Sequence, residues 1–271
     1  MSVKKKIMII ASSGKISTSK DGFEPHYQVE TITFTPESEE FDIIIHISNF
    51  IYARGGAWYT IYFGNPQEIM YISQMVFARD FLVISCLLLI CLYSVFLFFL
   101  RHDIGYILFV GLCLTFLLRT IINGNYLFNL FLPFMTFRTV ICIDYITLYW
   151  LPAFCVGLFR YIYPKNMSRT VLRLLIIFAA IITAVTLVTP IRIFTNFIYI
   201  AEIVAAVAGV YGVTMMLLLM FRRKMEALFM FAGGTVLTLC IFHDVLCENN
   251  ILKIGYVEYS SLGFLGLAIF L

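Results

Sequence analysis

Five ionisable residues stand inside stretches that are otherwise apolar: Arg119, Asp144, Glu202, His243 and Asp244. An ionisable side chain in hydrocarbon is costly, so such residues are functional suspects by default. At 1.5 Å of rise per residue, all five fall within roughly 10 Å of one membrane surface, and we read them as a transmembrane polar layer. Arg119 and Asp144 have opposite charge and similar depth, and they are expected to form an ion pair joining two helices. The simpler reading is that these are helix-end residues whose side chains reach back to the interface. A second group lies nearer the N-terminus: Asn49, Arg54 and Trp58, with His46 close by. An indole can cover the apolar face of a sugar while an amide and a guanidinium reach its hydroxyls, so this is a candidate ligand-binding set. Alternatively Asn49 and Arg54 tie a loop together and Trp58 only packs. Nothing suggests catalysis. The four histidines (His26, His46, His102, His243) are far apart, the seven cysteines all follow residue 85 without paired metal-ligand spacing, and no HExxH, GxSxG or P-loop string occurs. No catalytic residue, metal or cofactor is expected.

The elements that must hold these residues follow from composition. Of 271 residues 61% are hydrophobic and 13% charged, against about 25% charged in soluble domains; the chain is therefore a membrane protein. Residues 1–80 carry 7 Lys/Arg and 9 Asp/Glu, and the other 191 residues 12 and 7. A polar head thus precedes a lipid-soluble body. About 20 apolar residues cross a hydrocarbon core, and seven windows qualify: 81–100, 104–122, 140–163, 171–189, 197–221, 227–246 and 256–271. The last is short. Lys and Arg gather on cytoplasmic loops. With the head outside, the inner connections hold eight (Arg101, Arg160, Lys165, Arg169, Arg173, Arg222, Arg223, Lys224) and the outer ones four (Arg119, Arg138, Arg192, Lys253). The expected topology is head out and C-terminus in. Asn166-Met167-Ser168 then lies in a cytoplasmic loop, and its match to a glycosylation acceptor is chance.

The head has a period of two. Phe41, Ile43, Ile45 and Ile47 alternate with Asp42, Ile44, His46 and Ser48, and Ala57, Tyr59, Ile61 and Phe63 alternate with Trp58, Thr60 and Tyr62. These runs are expected to be strands, separated at Gly55-Gly56 and ended by Asn65-Pro66. About four strands in about 75 residues make too small a core to stand alone, so residues 1–75 are expected to be part of an antiparallel sandwich whose remainder, with the export signal, precedes residue 1. The alternative is that the first span itself carries the head across.

The string SNFIYARGGAWYTIYFG (48–64), followed closely by seven spans, resembles the bacterial seven-transmembrane receptors with diverse intracellular signalling modules. The matching positions are Ser48, Asn49, Phe50, Gly55, Gly56, Phe63 and Gly64, then Asp144–Tyr149 and Phe159–Pro164 in the third span, and His243-Asp244-Val245-Leu246 at the end of the sixth. The resemblance implies a jelly-roll sensor domain of carbohydrate-binding type before the bundle, and a cytoplasmic kinase, cyclase or phosphatase module after it. It extends from about residue 25 to the end. Against this pattern, the head is expected to lack its first strands and the seventh span to end without an output module.

The expected fold is a membrane α-helical bundle of seven transmembrane helices (76–271) preceded by a small, incomplete extracytoplasmic β-sandwich (1–75). Three function classes compete. An enzyme lacks its residues. A transporter or permease-like protein would show two related halves with interrupted helices at mid-membrane, whereas the span number is odd and the polar groups cluster toward one face. A receptor needs an outer domain, a bundle and an inward exit, and that is the expectation, with a transporter as the alternative. Expected partners are a small-molecule, carbohydrate-like ligand, the lipid bilayer, a cytoplasmic signalling module or partner protein, and a second copy of the chain as homodimer. Nucleic acid is not among them, since the net charge is only +3. The expected location is the bacterial inner membrane.

Overall fold

The computed structural model describes residues 8–26, 30–38, 40–53, 55, 61–123, 127, 134–221, 225–249, 251–252 and 258–269, with the side chains of 225–227 excepted. Among the described residues seven helices follow one another: α1 (Pro66–Arg101), α2 (Ile104–Asn123), α3 (Phe137–Ile162), α4 (Arg169–Val188), α5 (Ile191–Phe221), α6 (Met225–Glu248) and α7 (Ser260–Ala268). The first six contain windows long and apolar enough to cross a membrane. The chain is a multi-pass membrane protein.

The helices form a closed ring with one outlier. Helix α1 packs on α2, α2 on α3, α3 on α5, α5 on α6 and α6 on α7, which returns to α2 and α1. Helix α4 lies outside, packed mainly on α3, and its spanning window is only 11% buried, against 67% for that of α3. A helix with apolar residues all round is at home against lipid, so α4 needs no second protein neighbour. Helix α3 is the one that must satisfy neighbours on several sides, and it carries the polar and aromatic residues described below.

The first helix begins earlier than the sequence suggests. Asn65-Pro66, expected to end a strand, starts α1 instead: the Asn65 side chain accepts from the Gln67 N–H at 3.0 Å, and Pro66 occupies the first turn, where its missing N–H costs nothing. Asn and Pro end strands and begin helices for the same local reasons. With 36 residues, α1 is about 54 Å long, well beyond a hydrocarbon core of about 30 Å. It ends at His102, whose φ of 51° is the left-handed conformation of a helix C-terminus.

Helix α7 is drawn tightly into the ring. A Cβ at Gly263 would meet the Cys240 Sγ at 3.0 Å and the Leu237 Cα at 3.1 Å on α6, and backbone cannot yield as a flexible side-chain tip can. Phe264, wholly buried, stacks on Phe116 of α2 with centroids 4.5 Å apart. Pro152 and Gly234 occur in unbroken helices. Both line an apolar cavity of ≈ 50 Å³ between α3, α5 and α6.

Among the described residues of the N-terminal segment there is no strand. The β contact described is an isolated antiparallel bridge between Lys15 and Glu24, and a single 3-10 turn covers Lys20–Gly22. Residues 41–48 run without ladder partners, with Ile43, Ile44, Ile45 and Ile47 exposed. The alternation records a strand's side-chain pattern, but a strand exists only where neighbours complete its hydrogen bonds. Of the second expected run, residues 57–60 lie outside the described part. Phe34, Phe41 and Phe63 cluster, with ring centroids 5.7 to 6.3 Å apart.

Candidate functional site

The ends of α2 and α6 and the starts of α3, α5 and α7 meet at one end of the bundle, the end from which α1 also departs. There Arg119, 8% exposed, points from the C-terminal part of α2, one turn before its end at Asn123. Its Nη1 lies 3.1 Å from the Asp144 Oδ1 on α3 and donates also to the Asp144 carbonyl at 3.4 Å. The same carboxylate oxygen accepts from the Asn123 amide at 3.1 Å. On its other edge the Arg119 Nε faces the Glu258 Oε1 at 3.5 Å. One guanidinium therefore spans two carboxylates from different parts of the chain, a role for which its planar fork of donors is suited and a lysine's single ammonium is not.

Glu258 precedes α7 and is itself held by the Ser260 hydroxyl at 3.1 Å. At the next residue after Arg119, a second link joins α2 to α7. The Thr120 hydroxyl donates its proton to the Phe116 carbonyl at 2.9 Å, which leaves the Ser261 hydroxyl to donate to Thr120 at 2.6 Å. Asp244, from α6, caps α7 from outside: its carboxylate accepts from the Tyr259 N–H at 3.0 Å and the Ser260 N–H at 2.8 Å. The first N–H groups of a helix have no intrahelical acceptor, and a carboxylate there also suits the helix dipole. His243 Nδ1 approaches Asp244 at 3.1 Å, and its ring meets Tyr259 edge-on at 5.0 Å.

Glu202 lies apart from this knot. It is buried on α5 and accepts from the Asn249 amide at 2.9 Å, so that it links α5 to the end of α6. The five residues read as a layer thus form two groups: Arg119, Asp144, Asp244 and His243 converge on the start of α7, while Glu202 fastens a neighbouring pair of helices. Charge is unequal in the knot, where one Arg faces Asp144 and Glu258 while Asp244 sits close by. The described residues contain no group of three or more His, Cys, Asp or Glu that could hold a metal. What the arrangement can do is mechanical: it clasps four helices at one end through groups that cannot be left unpaired without cost.

Of the candidate ligand residues, Arg54 and Trp58 lie outside the described part. Asn49 is described, and its side chain is turned into its own loop. Its Oδ1 accepts from the N–H groups of Ile51 and Tyr52 at 3.2 and 2.9 Å, and its amide donates to the Tyr52 carbonyl at 2.8 Å. This is the loop-tying role. It presents Tyr52 to α3, where the two hydroxyls of Tyr52 and Tyr145 are 2.5 Å apart, and the Ala53 N–H donates to the Thr195 hydroxyl of α5 at 3.3 Å.

Sequence reasoning missed Glu258, Asn123, Thr120, Ser261 and the Tyr52–Tyr145 contact. Glu258 was detectable as an acid within the window 256–271. The hydroxyl and amide contacts carry no sequence signal, because Ser, Thr, Asn and Tyr are common at helix ends for many reasons.

An apolar helical ring closed at one end by buried charges, with a polar segment docked on that end, defines the class: a multi-pass membrane protein. Residues 77–271 match the family of the 7TM diverse intracellular signalling proteins, and the chain belongs to that family. No curated protein and no solved structure matches it.

Proposed function

We propose that this protein is a signal-transducing receptor of the bacterial inner membrane. Its N-terminal segment lies outside, completes a jelly-roll-like sandwich with further chain, and senses a small ligand of carbohydrate-like chemistry. Its bundle passes the event to a cytoplasmic module or partner protein, and a second copy of the chain is the natural unit of such a device. The chain performs no catalysis of its own in this reading. The observation that carries it is the docking of residues 51–53 on α3 and α5 at the end of the bundle where the start of α7 is clasped. Membership of a signalling family supports the direction of the argument.

Two experiments test it. Alkaline phosphatase fused after Lys224 should be inactive and after Lys253 active; the reverse pattern overturns the orientation and the receptor reading with it. For the ligand, Trp150→Phe leaves Trp58 as the sole indole. Titration of that variant, reconstituted in bilayer discs, with a panel of mono- and oligosaccharides should change its fluorescence with at least one of them. A flat response across the panel removes the sugar from the proposal, and Arg54→Ala should abolish any response seen.

A further inference from the structure

The loop at residues 49–53 is seated in the bundle rather than laid over it. Ile51 and Tyr52 pack against the cluster formed by Ile141, Tyr145, Tyr149, Phe194 and Ile198. Tyr145 is 2% exposed and Thr195 1%, so the loop's polar contacts reach groups that water does not. The Asn49 side chain imposes the turn locally, which fixes where Tyr52 is presented before any contact with the helices.

On the helix side, the residue that Tyr52 touches is the chain neighbour of the residue that Arg119 touches. Tyr145 and Asp144 share a peptide unit, and the Asp144 carbonyl in that unit accepts from both Arg119 and the Thr147 hydroxyl, the latter at 2.8 Å. A rotation of α3 about its axis at this level therefore moves both side chains together. From Asp144 the chain of contacts continues through Arg119 to Glu258 and Ser260 at the start of α7. Packed, hydrogen-bonded elements of this kind shift between discrete arrangements rather than deform smoothly.

We infer that Tyr52 is the residue through which the segment before α1 acts on the start of α7, by way of Tyr145 and the Asp144–Arg119–Glu258 contacts beside it. The inference rests on the receptor reading for the direction in which the signal runs, but the coupling itself requires neither ligand nor output module. Tyr52 is a positioning residue in this scheme and touches no ligand.

The test is amide hydrogen exchange on the full chain in bilayer discs, with no ligand present. Allosteric couplings amount to ~5–150-fold in an equilibrium constant. Tyr52→Phe should raise exchange at the Tyr259 and Ser260 amides, which Asp244 holds, by about fivefold or more, as well as at residues 49–53. Tyr145→Phe should do the same, and the double variant should add little to either single one. Asn49→Ala, which undoes the turn without removing a tyrosine hydroxyl, should reproduce the effect. Tyr71→Phe, on an exposed position of α1, should change neither region. Exchange that rises at 49–53 while the Tyr259 and Ser260 amides keep wild-type protection would mean that Tyr52 is only an anchor, and the inference falls. Unchanged exchange in both regions overturns it equally. Either result leaves the receptor reading to the fusion and saccharide experiments.

Discussion

The two ends of the bundle use charge in opposite ways. At the end that receives the N-terminal segment, Arg119, Asp144, Asp244 and Glu258 are largely buried and reach from one helix to another. At the other end the charges sit near water and serve mainly their own turns, with Asp103 also reaching the Tyr161 phenol of α3. Asp103 accepts from the Gly105 N–H at 2.8 Å, Arg101 donates to the Tyr106 hydroxyl at 3.2 Å, and Arg160 donates to the carbonyls of Pro164 and Met167. The same residue types thus hold tertiary structure in one place and mainly tidy local turns in the other. The deciding variable is exposure, because water screens an ion pair and also pairs with whatever a mutation strands.

Several substitutions would break or sharpen that contrast. The largest effect is expected for Arg119→Ala, which strands two buried carboxylates and should cost several kcal/mol, read as thermal stability in detergent. Asp144→Ala should cost less, since Arg119 keeps Glu258. The Arg119→Asp/Asp144→Arg swap should recover only part of the loss, because the relocated cation no longer lies beside Glu258. Strictly additive losses in the double alanine would mean that the two residues do not interact.

Asp244→Ala comes next, at about 1–3 kcal/mol, the cost of leaving buried donors without an acceptor. Its distinctive sign is local: the Tyr259 and Ser260 amides should lose protection before α2 and α3 do. A uniform loss throughout the bundle would argue against a cap on α7.

At the opposite end the effects should be small. His102→Gly should raise stability by about 0.5–1 kcal/mol, since glycine occupies the left-handed region without the steric penalty of a Cβ. A lowered melting temperature would show that the imidazole makes a contact worth more than that strain.

The smallest effect is one of pH. The Tyr161 phenol and the Gly105 N–H hold the Asp103 carboxyl below its ordinary value of 3.8. A carboxyl whose folded-state value lies below the unfolded one stabilises the fold above the unfolded value and loses that contribution as pH falls through the folded one. The α1–α2 turn should therefore loosen only in acid below about pH 4, and Asp103→Asn should flatten that part of the stability curve. A variant with the wild-type acid profile would assign the dependence to other carboxylates.

The sequence by itself determined the seven apolar stretches, their order, and the pairing of Arg119 with Asp144, for reasons that are one-dimensional. A span must be long and apolar to cross hydrocarbon, and a buried cation needs an anion at similar depth. It placed the start of α1 some fifteen residues late, at residue 81 rather than Pro66, because hydropathy marks where lipid begins and not where a helix does. Only the tertiary structure decided the rest. Glu258 shares Arg119 because α7 closes the ring against α2, and Asp244 caps α7 because Gly263 allows α6 to come close. Asn49 turns inward because its nearest donors are its own backbone amides. Tyr52 meets Tyr145 across 93 residues of chain, and no local pattern encodes a contact between two hydroxyls that become neighbours only when the helices have packed.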